Sequence, residues 1–254
     1  MKIATWNVNS LRVRLPQVLE WLQAQQPDVL AVQEIKMTDE QFPVEQFKEC
    51  GYQVVWAGQK TYNGVAIISK HAALDVVMDF PEWQDEQRRI VAATIDGVRI
   101  VNFYVPNGES VGSEKYQYKL AWLDAAKKWL AAELEQHNQM IVLGDFNIAP
   151  DDRDVHDPAE WQGQVLCSDA ERAALREMMS LGFVDSFRLF SQEAGVFSWW
   201  DYRAAAFRRN RGLRIDLVLV SSALQDRCRA SYVDKQPRTS ERPSDHAPGI
   251  LELS

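Results

Sequence analysis

The stretch Met140-Ile141-Val142-Leu143-Gly144-Asp145-Phe146-Asn147 decides the fold: an apolar run of strand length passes directly into polar residues. A short continuous apolar run bounded by turn residues reads as a buried strand. In extended backbone, Asp145 and Asn147 point the same way while Phe146 points into packing. One of the pair can position a water or accept its proton, and the other can donate a hydrogen bond to a phosphate oxygen. The same grammar occurs earlier. Lys2–Val8 reads as a strand ending at Asn7-Val8-Asn9, and Val29-Leu30-Ala31-Val32-Gln33 reads as a buried strand delivering Glu34.

Helices separate these strands. Leu11, Leu15, Val18, Leu19 and Leu22 form one stripe of a helix over 11–24, which Pro27-Asp28 ends. A second amphipathic segment covers 115–136, and a third covers 170–181. Further strands are expected at 52–57, 64–69, 73–79, 88–95, 98–104, 214–220 and 248–252. Asp96-Gly97 gives a strong hairpin signal between 88–95 and 98–104. Residues 148–168, rich in Pro, Asp and Gly, read as a long surface loop. Each half runs strand, helix, strand and then hairpins, without sequence identity between the halves. Strands with helices between them predict an α/β fold: two mixed sheets packed face to face and flanked by helices. No Pro/Gly/Ser-rich linker divides the chain, so residues 1–254 are read as one domain.

The chain has 254 residues, 46% of them apolar and 25% charged, which is ordinary for a soluble globular protein. It shows no amino-terminal apolar run with a cleavage pattern and no apolar stretch of bilayer length. Cys50, Cys167 and Cys228 are too scattered for a disulfide framework or a thiolate zinc site, so a reducing, cytoplasmic setting is expected. Nine tryptophans exceed what packing alone requires. A net charge of −8 argues against a nucleic-acid partner, but its distribution does not. Between Asp201 and Arg214 lie Arg203, Arg208, Arg209, Arg211 and Arg214, five arginines against one carboxylate.

Asn7, Glu34, Asp145, Asn147, Asp216, Asp245 and His246 each follow or flank an expected buried strand. Singly, each is an ordinary cap or turn residue. Gathered along one edge of two packed sheets, the carboxylates repel one another and require a cation or bound protons. An oxygen-rich site of that kind suits Mg²⁺ or Mn²⁺ better than zinc. His246, beside Asp245, is read as a base or a phosphate contact.

The chain resembles the exonuclease III type of apurinic/apyrimidinic DNA repair enzymes, within the endonuclease/exonuclease/phosphatase (DNase I-like) superfamily. The resemblance runs through Thr5-Trp6-Asn7-Val8-Asn9-Ser10-Leu11-Arg12, Val32-Gln33-Glu34-Ile35-Lys36, Tyr62-Asn63-Gly64-Val65-Ala66 and Tyr104-Val105-Pro106-Asn107-Gly108. It continues through Gly144-Asp145-Phe146-Asn147-Ile148, Phe197-Ser198-Trp199-Trp200-Asp201-Tyr202-Arg203, Gly212-Leu213-Arg214-Ile215-Asp216 and Ser244-Asp245-His246-Ala247-Pro248. It implies a four-layered α/β sandwich and a Mg²⁺-dependent attack of water on phosphorus, with Mn²⁺ a substitute. The implied substrate is double-stranded DNA carrying abasic sites, nicks or 3′ ends, acted on by a monomer.

The resemblance also implies roles. Glu34 is the principal metal ligand, with Asn7 and Asp245 beside it. Asp145 orients or activates water, Asn147 fixes the phosphate, and His246 pairs with Asp216. Either Asp145 or His246 can take the proton. Tyr104 contacts the phosphate, and Asn7 also lies on the substrate side. Trp199 faces an abasic sugar or terminal nucleotide, or else packs in the core, while Trp200 is structural. Arg88, Arg89, Arg203 and Arg208 are candidate phosphate contacts, as are Arg12, Lys115 and Lys119. Segments 105–119 and 148–168 are candidates for selecting the DNA end, with Leu166, Ser168 and Asp169 as rim positions. An RNA-directed relative is the neighbouring alternative. A catalytically silent nucleic-acid binder predicts loss of Glu34, Asp145, Asn147 or His246, and all four are present.

Overall fold

The structure, a computed structural model, describes residues 1–83 and 85–254. Its first half contains β1 (Lys2–Asn7), β2 (Val29–Gln33), β3 (Gln53–Ala57), β4 (Val65–Ser69), β5 (Leu74–Val77), β6 (Ile90–Ile95) and β7 (Val98–Tyr104). The second half contains β8 (Met140–Asp145), β9 (Phe183–Asp185), β10 (Trp199–Trp200), β11 (Gly212–Leu213), β12 (Asp216–Ser221), β13 (Cys228–Val233) and β14 (Gly249–Leu253). The helices are α1 (Leu11–Gln25), α2 (Val44–Glu49), α3 (Glu114–Gln136), α4 (Pro158–Trp161), α5 (Asp169–Met179), α6 (Ser186–Phe190) and α7 (Ser222–Gln225). Among the described residues, no helix is long and apolar enough to cross a membrane.

Two six-stranded mixed sheets form the centre, in the orders β13-β14-β1-β2-β4-β3 and β5-β6-β7-β8-β12-β9. Strand alternation makes the layers. Ile3, Val29, Ala31, Val65 and Ile67 of the first sheet meet Val91, Ile100, Ile141, Leu143 and Val218 of the second in one buried cluster. The intervening residues face outward. Ala4, Trp6, Leu30, Val32 and Ala66 pack against Leu11, Val18 and Leu22 of α1 and Phe47 of α2. Val101, Phe103, Val142 and Phe146 pack against Trp122, Leu123, Trp129 and Leu130 of α3 and Leu175 and Met178 of α5. These are the four layers expected from the sequence.

The long elements lie within about two residues of their expected bounds. Asp96 and Gly97 both take positive φ, 50° and 78°, and Ile95 pairs with Val98, as a two-residue hairpin turn requires. The elements α2, α6, α7, β9, β10, β11 and β13 were not legible: the helices have fewer than two turns, β9 to β11 have two or three residues, and β13 lacks a continuous apolar run.

The reading of 148–168 as a surface loop is corrected. Ile148, Ala149, Val155, Leu166 and Cys167 are buried, and the segment holds the one-turn helix Asp152–Asp154 as well as α4. Three of its polar residues are caps: Asp151 and Ser168 each make a capping box, and Asp157 caps α4. Leu166 and Ser168 are therefore interior rather than rim positions, whereas Asp169 is exposed.

Candidate active site

The site forms where two parallel strand pairs end together. Asn7 at the end of β1 is level with Gln33 at the end of β2, and Tyr104 at the end of β7 is level with Asp145 at the end of β8. Asp216, the first residue of β12, stands directly opposite Asp145. Like charges opposed across a ladder are unfavourable, so this pairing marks a place selected for chemistry. Gly144 allows the junction: a Cβ there would lie 1.9 Å from the Phe103 carbonyl oxygen, at φ +144°.

Beyond the strands the chain turns sharply, with Glu34 at φ 53° and Asn147 at φ 49°. The extended reading of 145–147 is thus corrected: β8 stops at Asp145, and a left-handed turn brings Asn147 back toward the cleft. Three hydrogen bonds hold it. Its backbone N–H donates to Asp145 Oδ1 at 2.9 Å, its Nδ2 donates to the Val105 carbonyl at 2.9 Å, and its Oδ1 accepts from Asn107 Nδ2 at 3.2 Å. Phe146 is buried between them, as expected.

Asn7 joins the acidic groups, its Nδ2 donating to Glu34 Oε1 and to Asp145 Oδ2, both at 2.8 Å. Its Oδ1 accepts the Asn9 N–H at 2.9 Å. It therefore meets the site as a donor, and acting as a metal ligand requires the amide turned over. Glu34 Oε2 pairs with Lys36 at 2.9 Å. On the other side His246 Nε2 is 3.7 Å from Asp145 Oδ2, and Nδ1 is 2.8 Å from Asp216 Oδ2. One ligating atom each from Glu34, Asp145 and His246 lie within 4.8 Å of one another.

The surroundings set the proton affinities. Burial pushes the Asp145 carboxyl above the usual range and Asp216 adds to this, while His246 and the Asn7 amide pull it back. Burial alone would lower the His246 imidazole, but the Asp216 and Asp145 carboxylates outweigh it and raise its pKa. Burial beside the charges of Glu34 and Asp145 raises the Tyr104 phenol well above its ordinary value. Tyr104 is thus a neutral hydrogen-bond donor at neutral pH.

Asp245 is not one of the three clustered ligating groups. Its Oδ1 accepts from Asn9 Nδ2 at 2.9 Å and its Oδ2 from Trp199 Nε1 at 3.0 Å. It anchors the half-buried Trp199, whose ring meets Trp161 edge-on at 6.5 Å and whose backbone bridges His246. Trp200 is fully buried, as expected of a structural residue.

The basic residues divide. Arg203, Arg208 and Arg209 are exposed on the loop between β10 and β11, and Arg12 is exposed on α1. Arg211 pairs with Glu160 at 2.5 Å. Arg214 is buried against Asp154 and Asp185, both at 2.6 Å, so it leaves the expected five-arginine patch. Arg88 pairs with Asp79 at 2.7 Å. Arg89 is buried, donates to the Tyr104 carbonyl at 3.1 Å and lies 4.7 Å above the Tyr104 ring centre, positioning that phenol. Lys115 is exposed and paired with Glu109 at 2.8 Å. Lys119 is fully buried and cannot touch a phosphate, which corrects that expectation. A cleft of about 780 Å³ opens beside Tyr104, lined by Tyr62, Arg89, Asn107, Lys115 and Tyr118 among others.

Sequence reasoning missed Asn9, Lys36, Asn107, Ser198 and Ser244. The Ser198 hydroxyl accepts the N–H groups of Ile215 and Asp216, both at 3.0 Å, and that of Ser244 donates to the Asn7 carbonyl at 2.6 Å. All five lie within motifs already quoted, and that co-location was the available signal.

The model of the Endonuclease/Exonuclease/phosphatase family matches residues 4–246, and the chain belongs to that family. It is 37% identical to exodeoxyribonuclease III of Haemophilus influenzae over 261 residues, covering 98% of both chains. A 3′ phosphatase from Neisseria, solved with a product DNA hairpin, superposes with a TM-score of 0.99 at 45% identity, covering 100% of this chain and 99% of that one. An AP endonuclease from Archaeoglobus fulgidus superposes with a TM-score of 0.96 at 38% identity, over 100% and 99% of the two chains. Within the family, the chain is a hydrolase of the exonuclease III/AP endonuclease type.

Proposed function

We propose that this chain is a metal-dependent DNA repair phosphodiesterase acting as a single-domain cytoplasmic monomer. It hydrolyses duplex DNA at abasic sites and removes 3′ blocking groups or 3′ nucleotides. The observation that carries this reading is the hydrogen-bonded row Glu34–Asn7–Asp145 facing the hydrogen-bonded His246–Asp216 pair across 3.7 Å. The oxygen-rich donors and the surplus of carboxylates fit a hard divalent cation, Mg²⁺ with Mn²⁺ able to substitute, held by Glu34 with Asn7 beside it. When bound, that ion neutralises charge on the phosphate oxygens and on the departing oxygen.

The chain's own residues supply the rest. Asp145, one face toward Asn7 and the other toward His246, orients the attacking water, and either Asp145 or His246 takes its proton. Asp216 holds the imidazole through Nδ1, leaving Nε2 toward the phosphate side. Asn147 has one amide N–H on Val105 and a second free for a phosphate oxygen. Tyr104 donates its neutral hydroxyl, which suits it to developing negative charge. Trp199 supplies an apolar wall for a sugar lacking its base. Arg203, Arg208, Arg209 and Arg12 hold backbone phosphates without reading sequence.

The test uses three matched duplexes: an internal abasic site, a nick with a 3′ phosphate, and a recessed 3′ hydroxyl. Each is incubated with Mg²⁺, Mn²⁺ or EDTA, using wild type and Asp145→Asn. Metal-dependent turnover abolished in the variant is the expected result, and relative rates rank the three activities. No turnover on any duplex with metal present overturns the DNA assignment and moves weight to RNA.

A further inference from the structure

Lys119 lies in the second turn of α3, fully buried, with Glu171 of α5 equally buried beside it. Its ammonium carries three hydrogens, and all three are used. Nζ donates to the Asn147 carbonyl at 2.6 Å, the Asn107 carbonyl at 3.0 Å and Glu171 Oε1 at 2.5 Å. Glu171 is saturated in turn, its oxygens accepting the Leu166 and Ser168 N–H groups at 3.0 and 3.1 Å and the Ser168 hydroxyl at 2.5 Å. Tyr116, one turn before Lys119, reaches the Ser168 hydroxyl at 2.7 Å.

The two carbonyls captured by one ammonium belong to residues whose side chains bond each other, Asn107 Nδ2 to Asn147 Oδ1. Asn147 sits at φ 49° and Gly108 at φ +94°, so both segments are sharply turned where they meet the lysine. A Cβ on Gly108 would lie 3.1 Å from Lys119 Cδ, so that loop is laid directly on the lysine stem. Burying an ammonium and a carboxylate is costly even when they are paired, and an apolar pair would satisfy packing alone. What an apolar pair could not do is grip two backbone carbonyls from separate loops.

We infer that Lys119, with Glu171 as its counter-charge, is a positioning residue for Asn147, fixing the turn that aims the Asn147 amide at the substrate phosphate. This rests on the proposed phosphate role of Asn147. Lys119 touches no substrate; it acts through the backbone of the two loops. A displacement of about 1 Å at a positioned group costs on the order of a hundredfold in rate.

The experiment compares wild type, Lys119→Met and the double variant Lys119→Met with Glu171→Gln, which removes both charges and keeps one carbonyl oxygen to accept from either the Leu166 or the Ser168 amide. The single variant strands a buried carboxylate and loses stability. In the double variant, thermal stability is expected to recover a large part of that loss. Its kcat on the 3′-phosphate duplex is expected to stay roughly tenfold to a hundredfold down with KM unchanged. Recovery of kcat together with stability overturns the inference, since Lys119 would then only neutralise Glu171. A second readout needs no turnover: nitrogen relaxation of the Asn147 side-chain amide, assigned by its loss in Asn147→Asp, is expected to show an order parameter close to that of rigid backbone in wild type and a clear drop in the double variant. An order parameter unchanged in the double variant overturns positioning even if the protein cleaves DNA. A drop in the double variant, with wild type inactive on all duplexes, overturns the functional reading instead.

Discussion

Two buried charge clusters lie two residues apart on the same strand entrance, and they are built on opposite plans. Around Arg214, two guanidiniums meet two carboxylates. Arg214 binds Asp185 through both terminal nitrogens at 3.2 and 2.6 Å and Asp154 through Nε at 2.6 Å, while Arg188 adds a contact to Asp154 at 2.5 Å. Around Asp216, three carboxylates (Glu34, Asp145, Asp216) face Lys36 and His246, leaving a surplus negative charge even with the imidazole protonated. Asp216 Oδ1 is buried without a hydrogen-bond partner among the described residues. Balanced charge locks a structure, whereas unbalanced charge on rigid strand ends is held ready for a cation and a proton transfer.

The largest expected effect breaks the balanced cluster. Arg214→Met leaves Asp154 and Asp185 buried without their main partner and should cost about 3–5 kcal/mol in urea unfolding. A cost under about 1 kcal/mol would show that the cluster locks nothing. Asp145→Asn should do the reverse. Its carboxyl is already disfavoured as an anion by burial, so neutralising it should cost under about 1 kcal/mol of stability. Turnover, by contrast, should fall about 10²–10⁴-fold. A large stability loss in Asp145→Asn would erase the distinction between the two clusters.

The same contrast explains what the sequence disclosed. Asp145, Glu34, Asp216 and His246 were legible because each ends or flanks an apolar run, and strand periodicity sends those ends to one edge. Two sheets covered by helices followed from the order of strands and helices along the chain, and the family resemblance implied the four layers. Lys119 and Arg214 were misread for a common reason: a charged residue next to a motif reads as part of its chemistry until its long-range partners are known. Those partners are Glu171 and Asp185, 52 and 29 residues away. The 148–168 segment misled because Asp and Pro mark loops and also start helices, as Asp151, Asp157 and Pro158 do, and only the buried Val155 and Leu166 between them separate the two cases.

The smallest effect sharpens the comparison most, because it isolates one charge. The His246 imidazole is raised by carboxylates, Asp216 foremost, against the opposing effect of burial. Asp216→Asn keeps a polar group of similar size at Nδ1 but withdraws the anion. In metal-free protein, the His246 ring followed by NMR should then titrate at least about one pH unit lower than in wild type. The linkage has a definite sign. A histidine whose folded pKa lies above its unfolded value contributes stability that is complete below about pH 6.5 and is lost as pH rises through the folded value. The folded value is raised to about 10, so Asp216→Asn should narrow the difference between unfolding free energies measured at pH 6 and pH 9 by a few tenths of a kcal/mol for the first pH unit of displacement and by about 1 kcal/mol for each further unit. An unchanged imidazole titration would mean that Asp145 and Asp245 hold the proton on His246 without Asp216. Asp216 would then be a structural oxygen like those around Arg214, and the catalytic cluster would shrink to Glu34, Asp145 and His246.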